Sequence, residues 1–128
     1  MARILILEAD RQLARYTADY LSRQGHEVSF YCDPQTAITA TDAGPPDLII
    51  LNLSLAGRSG IEFLYELRSY PDWQAVPAIA TGRLTHDEQL AYGQAFSQLG
   101  VSGFVPKDGA TLRSLAAAAS QILQTVKT

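Results

Sequence analysis

Residues 48–60, "LIILNLSLAGRSG", decide the fold. The apolar run 48–51 is uninterrupted, and such a run reads as a strand buried on both faces, the mark of the centre of a parallel sheet. It ends at Asn52, and a loop of small residues with Gly57 and Gly60 follows. In an open α/β sheet, the carboxyl ends of central strands face the crevice where ligands sit. The polar side chain at that place is an amide, which is no nucleophile at neutral pH.

Outward from this strand, apolar runs alternate with amphipathic segments. "RILIL" (β1, 3–7) is followed by "RQLARYTADYLSRQG", which reads as helix α1, with Asp10 as its cap, Leu13, Tyr16, Thr17, Tyr20 and Leu21 at helical spacing, and Gly25 as its stop. "HEVSFYCD" (β2, 26–33) alternates, with Val28, Phe30 and Cys32 on one face. Pro34 opens α2, which runs to Gly44. "DLIILN" (47–52) is β3, and "GIEFLYELRSY" (60–70) is α3, with Ile61, Leu64, Tyr65 and Arg68 at helical spacing. "VPAIAT" (76–81) is β4. Thr85 and Glu88 fit a capping box for α4, which ends at Gly100. "VSGFVP" (101–106) is β5, its Gly and Pro suited to an edge. The Ala-rich "TLRSLAAAASQILQTVK" (111–127) is α5. The spacing predicts an α/β fold: a (βα)5 flavodoxin-like doubly wound sandwich with a five-stranded parallel sheet in order 2-1-3-4-5. Its crevice gathers Glu8, Ala9 and Asp10 after β1, Asn52 after β3, Thr81 and Gly82 after β4, and Lys107 after β5.

Composition bounds the function. The chain has 128 residues, 47 % of them hydrophobic, a net charge of −3 and no block of like charge. A nucleic-acid surface needs clustered Lys and Arg, so no nucleic-acid partner is expected. No apolar stretch approaches the roughly 18–20 residues of a membrane span, so no membrane partner is expected either. The amino-terminal apolar run is too short for a signal peptide, which leaves the cytoplasm as the expected location. The single Cys32 offers neither an internal disulfide nor metal spacing and reads as a small buried hydrophobe. His26 and His86 are isolated and expected to be exposed, and Trp73 in "YPDWQ" reads as a loop anchor. Residues 116–119, four alanines, allow a close-packed helix face, either against the sheet or against a second copy.

Four segments carry a resemblance: "ILILEAD" (4–10), "PDLIILNLSLAGRSG" (46–60), "VPAIATG" (76–82) and "LGVSGFVPKD" (99–108). Together they resemble the receiver domain of two-component response regulators, over nearly the whole chain, as one domain spanning 1–128. The resemblance implies a phosphorylation switch. In a working member, an acidic pair after β1 and an acceptor Asp after β3 hold Mg²⁺, and the Asp takes a phosphoryl group from a histidine kinase. A Ser or Thr after β4 and a Lys after β5 bind the phosphoryl oxygens, and an aromatic residue on β5 reorients the α4–β5–α5 face. Here Asn52 stands at the acceptor position, with Gly60 eight residues on as the pattern requires. The acidic pair reads Glu8 and Ala9. Counting without gaps puts Gly82 at the Ser/Thr position, whereas a one-residue shift would place Thr81 there. Lys107 matches, with Asp108 where the family usually has Pro. Phe104 holds the aromatic position.

These departures remove charge. Mg²⁺ needs carboxylate oxygens to offset its dehydration, and phosphoryl transfer needs an anionic oxygen in line. Ala9 brings no ligand and Asn52 a neutral carbonyl, while Asp10 suits a helix cap better than a metal. Glu8 and Lys107 are then free to pair directly, with Asn52 as a neutral partner for either. The expectation is a degenerate phosphoacceptor pocket (Glu8, Ala9, Asn52, Thr81, Gly82, Lys107) with no catalytic residue, no metal and no cofactor. Function would be phosphorylation-independent: a protein–protein interaction module of a signalling pathway, binding protein partners, or a second copy of itself, through the α4–β5–α5 face. Tyr92, Phe96 and Phe104 either form an aromatic output surface there or lie largely in the core. One alternative is a phosphorylatable, Mg²⁺-dependent switch with an engineered or unusual acceptor, against which Ala9 argues. The other is a flavodoxin-like small-ligand binder, against which "LEADRQ" argues by lacking glycine. Whether the chain is a whole protein or the amino-terminal part of a longer one is open.

Overall fold

The computed structural model describes residues 2–40, 44–55, 58–107 and 111–126; Gly57 and Asp108 of the motifs above lie outside them. Five parallel strands, β1 (Arg3–Leu7), β2 (Glu27–Tyr31), β3 (Leu48–Asn52), β4 (Ala78–Gly82) and β5 (Val101–Pro106), form one sheet in the spatial order β2-β1-β3-β4-β5. The expected 2-1-3-4-5 topology is the one observed. All five residues of β3 are buried, as are all five of β4, because both strands are covered on both faces.

Two apolar layers flank the sheet. On one face Ile4, Ile6, Leu48, Ile50 and Ile79 pack with α1 (Arg11–Ser22) and α5 (Thr111–Val126). On the other, Leu5, Leu7, Ile49 and Leu51 meet Ala37 of α2 (Pro34–Ala40), Phe63, Leu64 and Leu67 of α3 (Gly60–Arg68), and Trp73. Ala116 and Ala119 are spent in the first layer, so the alanine run packs against the sheet. Trp73, in the short 3-10 turn Pro71–Trp73, is buried in the second layer as the expected anchor.

Some sequence expectations give way. The buried stripe of α1 is Ala14, Thr17, Ala18 and Leu21, while Tyr16 is exposed; the small residues fit the close approach of helix to sheet and the tyrosine does not. Cys32 lies past the end of β2 and is only half-buried, since the strand stops at Tyr31. His26 is half-buried at the start of β2, whereas His86, in the first turn of α4, is exposed. β4 begins two residues later than read and takes in Gly82, because Val76 and Pro77 precede the first paired residue.

Helix α4 (His86–Gln98) differs from the others in burying none of its residues. It is held at its ends. Thr85 and Glu88 form a full capping box, and the Arg68 guanidinium donates to the carbonyls of Leu99 at 2.9 Å, Trp73 at 2.5 Å and Gly100 at 3.5 Å. Burial lowers the Arg68 pKa from its ordinary value. Glu88 sits below the usual carboxylate range because it accepts from the Thr85 backbone and hydroxyl. Gly93 weakens the middle of the helix. By hydrogen exchange, the amides of residues 90–95 should open at lower free energy than those of α1 and α5. A depressed folded-state pKa places the Glu88 contribution above the unfolded value, so protection of α4 should decline as pH falls through the carboxylate range.

Candidate functional site

The ladder between strands continues past their ends and brings four backbones to one level. Glu8 N donates to Tyr31 O at 3.1 Å, Leu53 N to Thr81 O at 2.9 Å, and Lys107 N to Gly82 O at 3.0 Å. Parallel strands therefore present Glu8, Asn52, Gly82 and Lys107 together at the carboxyl edge of the sheet.

Glu8 is 5 % exposed, and a buried carboxylate must be paired or hydrogen-bonded. It is both. Lys107 Nζ lies 2.6 Å from Glu8 Oε1. Asn52 Nδ2 donates to Glu8 Oε2 at 2.7 Å, and the Asp10 backbone N–H donates to the same oxygen at 3.2 Å. Asn52 Oδ1 in turn accepts from Ser54 N at 3.2 Å. The amide orientation follows from this: its N–H side faces an anion and its oxygen faces a backbone donor.

The loop after β3 is fixed sterically. Ser54–Leu55 pairs with Arg58–Ser59 as a short antiparallel ribbon, and Ser59 caps α3 by accepting from Ile61 N. Gly60 N donates to Leu53 O at 2.8 Å. A Cβ on Gly60 would lie 2.5 Å from Asn52 O and 2.9 Å from Leu53 Cα, so only glycine fits without moving the end of β3. Gly60→Ala should lower stability by about 1–3 kcal/mol, the usual cost of forcing atoms into a packed site, measured by urea unfolding.

The remaining candidates separate. Ala9 is exposed and brings no polar side-chain atom. Asp10 caps α1, accepting from Leu13 N at 3.1 Å. Gly82 stands beside Asn52: a Cβ there would be 3.8 Å from Asn52 Oδ1. Thr81 is buried and faces a small cavity shared with Glu8 and Lys107. Tyr92, Phe96 and Phe104 are not in this site. Their rings stack in a column across α4 and β5, with centroids 5.7 Å and 6.2 Å apart, and all three are half-buried rather than core. Leu90, on α4, is 67 % exposed. Ser54 enters the site through its backbone N–H, on which the Asn52 side chain closes a turn, as Asn does two residues on. Thr17, read only as part of the α1 stripe, and Thr111 line the cavity, brought there by the packing of α1 and α5.

A model of the response regulator receiver domain matches residues 4–119. The chain belongs to the response regulator receiver family. This receiver is 35 % identical over 92 residues to the KDP operon transcriptional regulatory protein KdpE of Escherichia coli (strain K12), which covers 71 % of this chain and 40 % of that one. It is 30 % identical over 95 residues to Protein RcaC of Microchaete diplosiphon, covering 74 % of this chain and 14 % of that one. The chain thus spans less than half the length of each of these relatives. Among solved structures, the receiver resembles the chemotaxis response regulator CheY4 of Vibrio cholerae (TM-score 0.77, 21 % identity, 92 % of this chain and 98 % of that one). It also resembles the signal receiver domain of a signal transduction histidine kinase from Syntrophus aciditrophicus (TM-score 0.82, 22 % identity, 99 % and 93 %). Both share the fold. Receivers of this kind are signalling modules that meet partner proteins, and no described helix here is long and apolar enough to cross a membrane.

The family implies Mg²⁺ at the carboxyl edge, and the donor set of this receiver does not fit it. Among the described residues, Glu8 supplies the one carboxylate turned into the site, and both its oxygens are engaged by Lys107, Asn52 and Asp10 N. The Asp10 carboxylate is turned to its cap, and the Asn52 carbonyl to Ser54. Among the described residues no three His, Cys, Asp or Glu side chains converge as a metal site. Asn52→Asp replaces the N–H donated to Glu8 with a second carboxylate oxygen. It should cost about 1–3 kcal/mol at neutral pH, and the loss should shrink on acidification, as protonation of one acid restores a donor. Thermal unfolding from pH 4 to 8 tests both signs.

Proposed function

We propose that this receiver signals without phosphorylation, as a protein-interaction module, and performs no catalysis. One observation carries the reading: both oxygens of the Glu8 carboxylate, which a working receiver would offer to a metal, are engaged by Lys107, Asn52 and the Asp10 backbone. Asn52 keeps the outline of an acceptor side chain and lacks the anionic oxygen that attacks phosphorus. Lys107, which would otherwise meet phosphoryl oxygens, has its charge met by Glu8. In this reading Glu8, Ala9, Asn52, Thr81, Gly82 and Lys107 are the remnant of a phosphoacceptor pocket, held as scaffolding.

The surface that remains for recognition is α4–β5–α5. The Tyr92–Phe96–Phe104 column and exposed Leu90 lie on its α4 and β5 parts, and large, half-exposed aromatics are the side chains that anchor protein interfaces. The partner is a protein of a signalling pathway or a second copy of the domain, met in the cytoplasm.

The test adds a small phosphodonor, or beryllofluoride, with millimolar Mg²⁺ to the wild type and to Asn52→Asp. Amide NMR spectra and intact mass are recorded, and partner capture is quantified. The expected result for the wild type is an unchanged spectrum, unchanged mass and unchanged capture. A phosphoryl mass increment on the wild type, or capture that depends on the phosphodonor, would establish the Mg²⁺-dependent switch instead.

A further inference from the structure

We propose that the cavity behind the Glu8–Lys107 pair is a binding site for one water molecule, held there by the hydroxyl of Thr81. The proposal goes beyond the functional reading and does not depend on it. Thr81 is 4 % exposed, and its Oγ1 has no hydrogen-bond partner among the described residues. A buried hydroxyl without a partner carries its full desolvation penalty, and an ordered water is a usual resolution. Thr81 lines a cavity whose polar wall is Glu8, Thr17, Lys107 and Thr111; the rest of the wall is aliphatic.

Size and chemistry select the occupant. The room inside is about 10 Å³. That is the lower bound of the roughly 10–15 Å³ one water needs, and too small for a phosphate or a carboxylate. A buried water makes about three hydrogen bonds, and three groups are at hand. The Thr81 hydroxyl donates and accepts. The Glu8 carboxylate has lone pairs beyond those used by Lys107, Asn52 and Asp10. The Lys107 ammonium has protons beyond the one it gives Glu8. An ammonium or sodium ion of similar size would sit against the Lys107 charge, and Glu8 is already neutralised by that charge, so a neutral occupant is favoured.

The site gives the two residues at the end of β4 different parts. Gly82 leaves open the side facing Asn52, where a Cβ would meet only Asn52 and Leu53 at van der Waals distance. Thr81, one residue back, joins the ionic pair from beneath through the water. The water ties the end of β4 to Glu8 after β1, a strand that is not its neighbour in the sheet, and to Lys107 after β5.

The test uses the whole chain, isotopically labelled, with water-selective NOE and ROE spectra. Slowly exchanging water should give a cross-peak to the Thr81 methyl, kept in Thr81→Ser at the residual side-chain protons and lost in Thr81→Val. Valine matches threonine in shape, so its packing is unchanged. Losing the water should lower the folded-to-unfolded ratio about tenfold in urea titrations, while Thr81→Ser loses less. No water cross-peak at Thr81 in the wild type overturns the proposal. So does a Thr81→Val variant as stable as the wild type or more so, which would mean an isolated hydroxyl. Cross-peaks that instead track added ¹⁵N-ammonium overturn it in favour of a cation.

Discussion

A carboxylate shut away from water has to be answered, and in this receiver the answer organises the whole carboxyl edge of the sheet. Glu8 is placed at the end of β1 by the burial of the four residues before it, not by any property of its own. Once there, it draws the Lys107 ammonium from the end of the edge strand, the Asn52 amide from the central one, and a backbone N–H from the start of α1. Removing any one of these leaves charge or a polar group stranded in an apolar setting, which is why such clusters are kept or lost as a unit. Three strands and one helix are thereby joined by one network.

The middle of the sheet was readable from residue type alone. The run at 48–51 has no polar member, and a continuous apolar run of that length has few homes other than the centre of a parallel sheet. The pairing of Glu8 with Lys107 was readable because the doubly wound order opens the carboxyl ends of both strands on one crevice, within reach of two long side chains of opposite charge. The stripe of α1 was not, because Tyr16 and Ala14 exchange places relative to hydrophobicity: what matters against a flat sheet is closeness, and alanine allows more of it than tyrosine. The edge of β2 was overextended for a related reason. Alternation continues to Cys32 in the sequence, but a strand ends where its neighbour's hydrogen bonds end, and the last bond β1 gives this strand is Glu8 N to Tyr31 O. Thr81 and Gly82 could not be ordered by counting, since adjacent residues on a strand take opposite sides and one position of slip exchanges them.

The molecule is uneven in how tightly it holds its parts. α1, α3 and α5 each place buried side chains in one of the two apolar layers. α4 rests half-buried aromatics on the outside of the edge strand and is held by its termini, through a capping box at one end and a guanidinium at the other. A helix so mounted has a well-defined position and little cohesive energy along its length. The polar network at the sheet's edge and the loosely seated helix are thus separate features, one at the strand ends and one on the flank.

The contact between Gly60 and the backbone of Asn52 reaches further than its own loop. It involves the main chain at position 52, so it is indifferent to which side chain that residue carries. A change of side chain at position 52 therefore gives no freedom to replace the glycine. The features by which this family is recognised in sequence are therefore partly a record of close quarters in the chain trace.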